Sequence, residues 1–398
     1  MAAPHYVAGI DFNPAVRQDA YDVMARLIEH YRNKSTDQAP DQWRESVHDY
    51  RDPDLWQREI QAVFRKVPLP LALSCELPGP GTYKAIDVAG TPVVITRDPS
   101  GAVRAMINVC RHRGGELVPE GTGKANRLTC PYHAWSYDRE GRLASMPGRA
   151  GFSDVATTDL GLRGLSVTEH AGLVYVGFTP GPTGAADLGG AEAELVGFDL
   201  ASYHRIERRE HRFATNWKLT IDSFMEAYHL HFLHAETLRP IFHGNLSAFD
   251  AFGRNCRIVG VRRSFDQIED GGSLLPHVTL LYQLFPNAVL IYQQDHIELY
   301  QAFPDPADPH ACEVRVTLYA PQAPTGDRER DYWTRNLDLI DNVTTSEDFA
   351  ACEKIQANLR AGAVPFLVLG RNEPGVAHFH RTLHEVLGTN SKGAPSCT

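Results

Sequence analysis

The chain has 398 residues, 43% of them hydrophobic, and a formal net charge of −10, which is more chain than one core usually holds. The acidic balance excludes a surface built to hold nucleic acid, and no apolar run approaches the ~20 residues of a membrane span. The opening MAAPHYVAGIDFNP lacks the basic start and apolar core of a secretion leader, so a cytoplasmic protein is expected.

Helical periodicity covers Pro14 to Arg32 and Pro53 to Lys66, the second opening on an Asp-Pro start signal. From Leu69 to Phe178 the pattern changes to short apolar runs broken by turns. TPVVITRDPSGAVRAMINV predicts a hairpin about Asp98 to Gly101, and GLVYVGF a closing strand, which together make a small antiparallel β domain. Gly177 to Gly197, rich in Gly, Ala and Pro, reads as a linker or irregular surface stretch. Beyond it HVTLLYQLF, AVLIYQQD, HIELYQAF and CEVRVTLYAP are strands, and helices are expected near Arg328 to Asn342, Ser346 to Ala361 and Gly375 to Leu387. Strands followed by helices predict an α+β fold, an antiparallel sheet with helices on one side. The expected division is residues 1–66 as N-terminal helices packing on the last domain, 67–180 as the small β domain and 181–398 as the catalytic domain. No repeat or charge block appears, and SKGAPSCT is a low-complexity tail.

Within the β domain, Cys110 and His112 form CxH, and after 17 residues Cys130 and His133 form CxxH. Each loop offers one thiolate and one imidazole. Two such loops facing each other present two sulfurs to one metal and two nitrogens to another, the ligand set of a Rieske [2Fe-2S] cluster. The competing site is a tetrahedral Cys₂His₂ zinc. Arg113-Gly114-Gly115 after the first pair and Pro131, Tyr132, Ala134 and Trp135 around the second favour the cluster, because glycine admits backbone N–H groups to sulfur and an aromatic wall excludes water. The other five cysteines, Cys75, Cys256, Cys312, Cys352 and Cys397, have no paired spacing and are expected to be reduced thiols.

The segment CRHRGGELVPEGTGKANRLTCPYHAWSYDREGRL resembles the cluster-binding region of the Rieske non-haem iron oxygenases, whose large (alpha) subunits have about this length. The resemblance implies a second site, a mononuclear Fe(II) held by two His and a carboxylate. NWKLTIDSFMEAYHLHFLHAETL, from Asn216 to Leu238, carries Glu226, His229 and His234 at the family spacing. On a helix Glu226 and His229 share a face, and His234 needs the helix to end or bend before it. His231 competes with them. Two imidazoles and one distant carboxylate make the facial triad that leaves positions open for O₂. The family's usual acidic residue is Asp, so Glu226 resembles the carnitine-type members.

The family takes its third ligand from a later helix. SEDFAACEKIQANLRAG fits, with Glu347 and Asp348 opening an amphipathic helix, and the resemblance makes Asp348 the ligand; Asp338, Asp341 and Glu347 are the alternatives. It further implies a helix-grip catalytic domain and a homotrimer in which Glu226 joins His133 of one subunit to His229 of the next, with Asp222 as the other candidate bridge.

No GxGxxG follows a strand, so the chain takes no hydride from NAD(P)H itself, and a separate reductase, with or without a ferredoxin, has to deliver electrons. The expected function is the oxygenase component of such a system, active in the catabolism of aromatic compounds. It would hydroxylate or oxidatively N- or O-dealkylate a small aromatic or amine compound. The alternatives are a carnitine- or betaine-like quaternary-ammonium monooxygenase and an arene cis-dihydroxylating dioxygenase.

Overall fold

The structure is a computed structural model that describes residues 14–179, 187–268 and 273–389. It divides into two compact units. One is Phe64–Ala186 with Asp199–Ser202; the other joins the chain up to Val63 to Asp187–Phe198 and to everything from Tyr203 on.

The smaller unit is a seven-stranded antiparallel sheet in the order Leu69–Leu73, Leu173–Gly177, Gly164–His170, Val103–Ile107, Thr91–Arg97, Thr82–Val88 and Gly121–Lys124. A second sheet holds Leu128–Thr129, Ser136–Tyr137 and Leu143–Ser145. The expected hairpin is present, and its turn is built by one side chain: Asp98 Oδ1 accepts from Ser100 N (2.8 Å), Ser100 Oγ (2.6 Å) and Ala102 N (3.0 Å). The closing strand Leu173–Gly177 lies between Leu69–Leu73 and Gly164–His170. Cys110, Cys130, Trp135 and Tyr137 belong to this unit's apolar core, so the metal-binding loops are extensions of packed structure.

The larger unit is organised by another seven-stranded antiparallel sheet, in the order His204–Phe213, Cys312–Ala320, Ile297–Pro304, Ala288–Tyr292, Val278–Leu284, Asn255–Arg262 and Phe242–Phe252. The four strands legible as apolar runs are its centre. The two at its edges were not legible: His204–Phe213 is HRIERREHRF, largely exposed and charged as edge strands often are, and Phe242–Phe252 is interrupted by Gly244, Asn245 and Asp250. Asn255–Arg262, buried at all but its last residue, carries no readable pattern either, because Asn, Cys, Gly and Arg dilute it.

Three expectations about helices change. The run from Asp327 to Ala361 is continuous: Asp327–Val343 passes through a π-helical turn, Thr344–Phe349, into Ala350–Ala361, so Glu347 and Asp348 open no new helix. Thr344 and Thr345 stabilise that wide turn by donating back to the carbonyls of Ile340 (2.9 Å) and Asp341 (2.7 Å). The second N-terminal helix spans Pro53–Glu59 and ends in a π turn, Ile60–Phe64. The end of the supposed linker is ordered: Glu192–Gly197 is helical, with Leu195 buried and Glu194 paired to Arg257 at 2.7 Å, while residues 180–186 lie outside the described part.

The segment up to Val63 is tied into the larger unit by Trp43–Ser46, which pairs antiparallel with Phe366–Leu369. Buried Glu59 reinforces this by accepting from Trp217 Nε1 (2.9 Å) and Lys218 Nζ (2.6 Å), which explains the Asn-Trp-Lys motif as an anchor for the helix leading to the site. The six described cysteines form no disulfide, and Cys397, like the tail, lies outside the described residues. Among the described residues no helix is long and apolar enough to cross a membrane.

Candidate metal centres

The two Cys/His loops have the same backbone design. Cys110 N donates to Gly115 O (2.8 Å) and Gly114 N to Cys110 O (3.0 Å); Cys130 N donates to Trp135 O (2.8 Å) and Ala134 N to Cys130 O (3.0 Å). The fourth residue after each cysteine is left-handed, Gly114 at φ +74° and Ala134 at φ +59°. Both thiols are 3% exposed, and the two imidazoles approach with Nδ1 atoms 3.2 Å apart. A Cβ on Gly115 would lie 3.2 Å from Cys130 Sγ, so glycine is what lets the first loop approach the second loop's sulfur. Burial, then His112 and Arg113, lower the His133 pKa and favour the neutral ring that a metal takes. Tyr137 OH accepts from Arg111 N at 3.0 Å, which leaves its own proton to point at Cys110 Sγ, 3.4 Å away. Trp135 stacks on His112 at 4.9 Å and Phe152 meets it edge-on at 5.6 Å, completing a dry wall. These residues fit a [2Fe-2S] cluster in donor set, burial and available sulfur-directed hydrogen bonds.

The second centre begins where the helix Trp217–Asp222 ends. Asp222 at its last position is held by Tyr50 OH (2.9 Å) and His380 Nε2 (2.9 Å), and the chain then turns through residues 223–228. Gly375 makes room for this: a Cβ there would lie 2.4 Å from the Met225 carbonyl. Glu226 therefore sits in a turn, not on the helix expected from its spacing. It still faces His229, because its Oε2 accepts from the backbone N–H of Tyr228 and of His229 (3.0 Å) while Oε1 meets His229 Nδ1. A 3₁₀ turn, His229–His231, then carries the chain to His234.

His229, His234 and Asp348 converge, with one ligand atom of each lying within 4.8 Å of the others. Asp348 Oδ1 is 3.0 Å from His234 Nε2 and 3.5 Å from His229 Nε2. His234 Nε2 and Asp348 Oδ1 are buried yet lack hydrogen-bond geometry to any partner, although they lie close together. Orphaned buried donors aimed at one point are what a metal ion satisfies. The electrostatics agree. Burial lowers the His229 pKa, but Asp348 and Glu226 outweigh it and carry it to about 10; burial raises Asp348, but the two imidazoles hold it below the ordinary carboxylate range. The site thus calls for positive charge, which a divalent cation supplies with the rings neutral.

His231 does not join this group. Asp338 and Asp341 are engaged elsewhere, the first with Arg209 (2.6 Å), the second with His211 (2.6 Å) and Arg209 (3.2 Å). Glu347 has a role that the sequence did not announce: it contacts His234 Nδ1 and accepts from Thr237 Oγ1 at 2.7 Å. Adjacent residues of the π turn thus address opposite nitrogens of one imidazole. Replacing Glu347 by Gln is expected to weaken metal binding at this centre about 10- to 100-fold, the usual cost of losing a carboxylate behind a ligating His; titration of metal-free protein with Fe(II) measures it.

The three side chains line a cavity of about 430 Å³. Its wall mixes aliphatic side chains with the aromatics Phe224, Phe242, Tyr300 and Tyr332, and carries a polar group at Arg262, Gln293, Asp295, His296 and Glu298.

Residues 67–159 match the family described as Rieske [2Fe-2S] domain, and residues 200–389 the family described as ring hydroxylating alpha subunit (catalytic domain). The glycine betaine monooxygenase oxygenase subunit of Pseudomonas aeruginosa is 32% identical over 193 residues, a match covering 48% of this chain and 45% of that one, so the chain spans about half of that relative's length. The carnitine monooxygenase oxygenase subunit of Escherichia coli is 26% identical over 364 residues, 86% of this chain and 94% of the other. Among solved structures, a quaternary ammonium Rieske monooxygenase bound to an inhibitor superposes with a TM-score of 0.76 at 23% identity, over 95% of this chain and 99% of that one, which establishes a shared fold. The zinc reading of Cys110, His112, Cys130 and His133 is set aside by the first of these matches.

Proposed function

The chain belongs to the Rieske non-haem iron oxygenases, as a large (alpha) subunit, and we propose that it is the oxygenase component of a multicomponent system. It takes electrons from a separate NAD(P)H-dependent reductase, with or without a ferredoxin, and monooxygenates a small aromatic or amine compound by hydroxylation or oxidative N- or O-dealkylation. The observation that carries this reading is the convergence of His229, His234 and Asp348, two of their donor atoms orphaned, on the wall of an apolar cavity. When bound, an iron there supplies O₂ binding and activation, and a [2Fe-2S] cluster supplies single electrons.

The chain's own residues then have defined tasks. Cys110, His112, Cys130 and His133 hold the cluster. Glu226 and Glu347 fix the ring orientation of His229 and His234, and the cavity excludes water from bound substrate. Glu226 also bridges His229 to His133 of a neighbouring subunit, its Oε1 keeping a lone pair for the second imidazole. The exposed aromatics beside both centres, Tyr132 at 59%, Tyr228 at 49% and Phe232 at 70%, support burial in a homotrimer interface. The compartment is cytoplasmic.

Metal and sulfide analysis tests the reading. We expect three irons and two sulfides per chain, a red-brown colour and a rhombic spin resonance signal after reduction. Colourless protein with one zinc and no sulfide would sink it, and two irons alone would indicate an electron carrier. A second reading, a quaternary-ammonium monooxygenase, is favoured by Glu226 and by the activities of the betaine and carnitine relatives; cis-dihydroxylation of an arene is a third. Substrate-dependent O₂ uptake with a surrogate reductase, across aromatic acids, anilides and betaines, separates the three by product.

A further inference from the structure

We infer that the substrate carries a carboxylate, or an equivalent planar oxyanion, on an apolar body of one or two rings, and that Arg262 binds it. This inference rests on the oxygenase reading above. Arg262 ends the strand Asn255–Arg262 and lines the same cavity as the metal-binding triad. Its guanidinium lies over the Phe242 ring at 5.0 Å, and one terminal nitrogen contacts the side-chain oxygen of Gln293, a neutral partner. Its Nε is buried without a hydrogen-bond partner. Among the described residues no carboxylate stands within ion-pair distance of it.

The two nearest acids are occupied by other groups. Glu298 Oε1 accepts from Gln293 Nε2 (3.0 Å) and meets His296 Nε2 (3.2 Å), and its Oε2 accepts from Tyr300 OH at 3.0 Å. Asp295 Oδ1 meets His296 Nδ1 at 2.7 Å, and Oδ2 accepts from Tyr332 OH. His296, clamped between the two, has its pKa pulled down by burial but carried to about 9 by both acids, so it offsets one of their charges. Gln293 separates Arg262 from Glu298 by receiving from one and donating to the other.

Burial lowers the Arg262 pKa and the through-space pull of Asp295 and Glu298 offsets it only in part, so a partly buried guanidinium whose planar fork keeps an unbonded Nε gains from a further anion. A ligand carboxylate supplies that anion, whereas a ligand whose only charge is a quaternary ammonium would meet a like charge at Arg262. Leu238, Ile258, Leu281, Ile291, Ile340 and Val343 in the same wall suit an apolar body.

The test is calorimetric titration of the iron-loaded protein with benzoate, benzamide and phenyltrimethylammonium, three probes of similar size and different charge. Benzoate should bind at least tenfold more tightly than the other two. Arg262→Gln should remove that preference, a loss of about ten- to a hundredfold for benzoate and little for benzamide, as expected for a lost charge-assisted hydrogen bond. Arg262→Lys, which keeps the charge without the fork, should fall between, and it serves as the comparison if the Gln variant does not fold. Equal binding of benzoate and benzamide, tighter binding of the cation, or a benzoate preference that survives both substitutions overturns the inference, the last because the carboxylate would then sit on the iron. Iron and sulfide counted on the same samples keep this outcome separate from the oxygenase reading, since the heat of binding requires no turnover.

Discussion

Asp348→Ala is expected to strip the mononuclear iron and abolish product formation while leaving the visible spectrum of the cluster unchanged. Among the described residues the carboxylate is one of three protein donors that converge, and removing it leaves two imidazoles without the anion that draws positive charge to the site. The cluster loops fold in the other compact unit, so their absorbance is an internal control for correct folding. Iron content should fall from three to two per chain. Full activity in Asp348→Ala would show that the ligand is misassigned. Glu347 would then be tested first, because it already meets His234, whereas Asp341 is held by His211 and Arg209.

Glu226→Gln should keep both metal centres occupied and the oligomer intact, yet slow single-turnover electron transfer from cluster to iron by orders of magnitude. Glutamine can still accept from the backbone N–H groups of Tyr228 and His229, so the turn survives, but it loses the charge and one acceptor that a carboxylate shared between two imidazoles needs. Glu226→Asp should restore part of the rate at a slightly short reach. Rapid-mixing measurement of cluster oxidation with O₂ and substrate reads the effect. Transfer at the parent rate in Glu226→Gln would place the bridge elsewhere, and Asp222 is a weak substitute because its carboxylate is already shared by Tyr50 and His380.

What the sequence determined by itself lies in local spacing. CxH and CxxH mark the candidate cluster loops because the proposed ligands of each pair share one short turn, and the structure repeats that turn at Cys110 and Cys130. Glu226, His229 and His234 likewise stand out by spacing within a single segment, and the structure brings Glu226 to His229 and His229 near His234. The central strands of the larger sheet carry apolar runs because both faces are covered, whereas the charged edge strand His204–Phe213 and the broken one at Phe242–Phe252 have no such pattern.

Tertiary structure alone decided which carboxylates meet the histidines. Asp338, Asp341, Glu347 and Asp348 are all plausible along one helical run, and a π turn between residues 344 and 349, stabilised by two threonine hydroxyls, presents the last two together to His234. A helix with a regular 3.6-residue repeat would place them differently, and nothing in the hydrophobic period announces the extra residue. Arg262 was equally silent. Whether an arginine at a strand end is solvated, paired or left facing a cavity depends on the acids around it, and Asp295 and Glu298 are drawn away by His296, Tyr300 and Tyr332 through contacts that exist only once the sheet is folded.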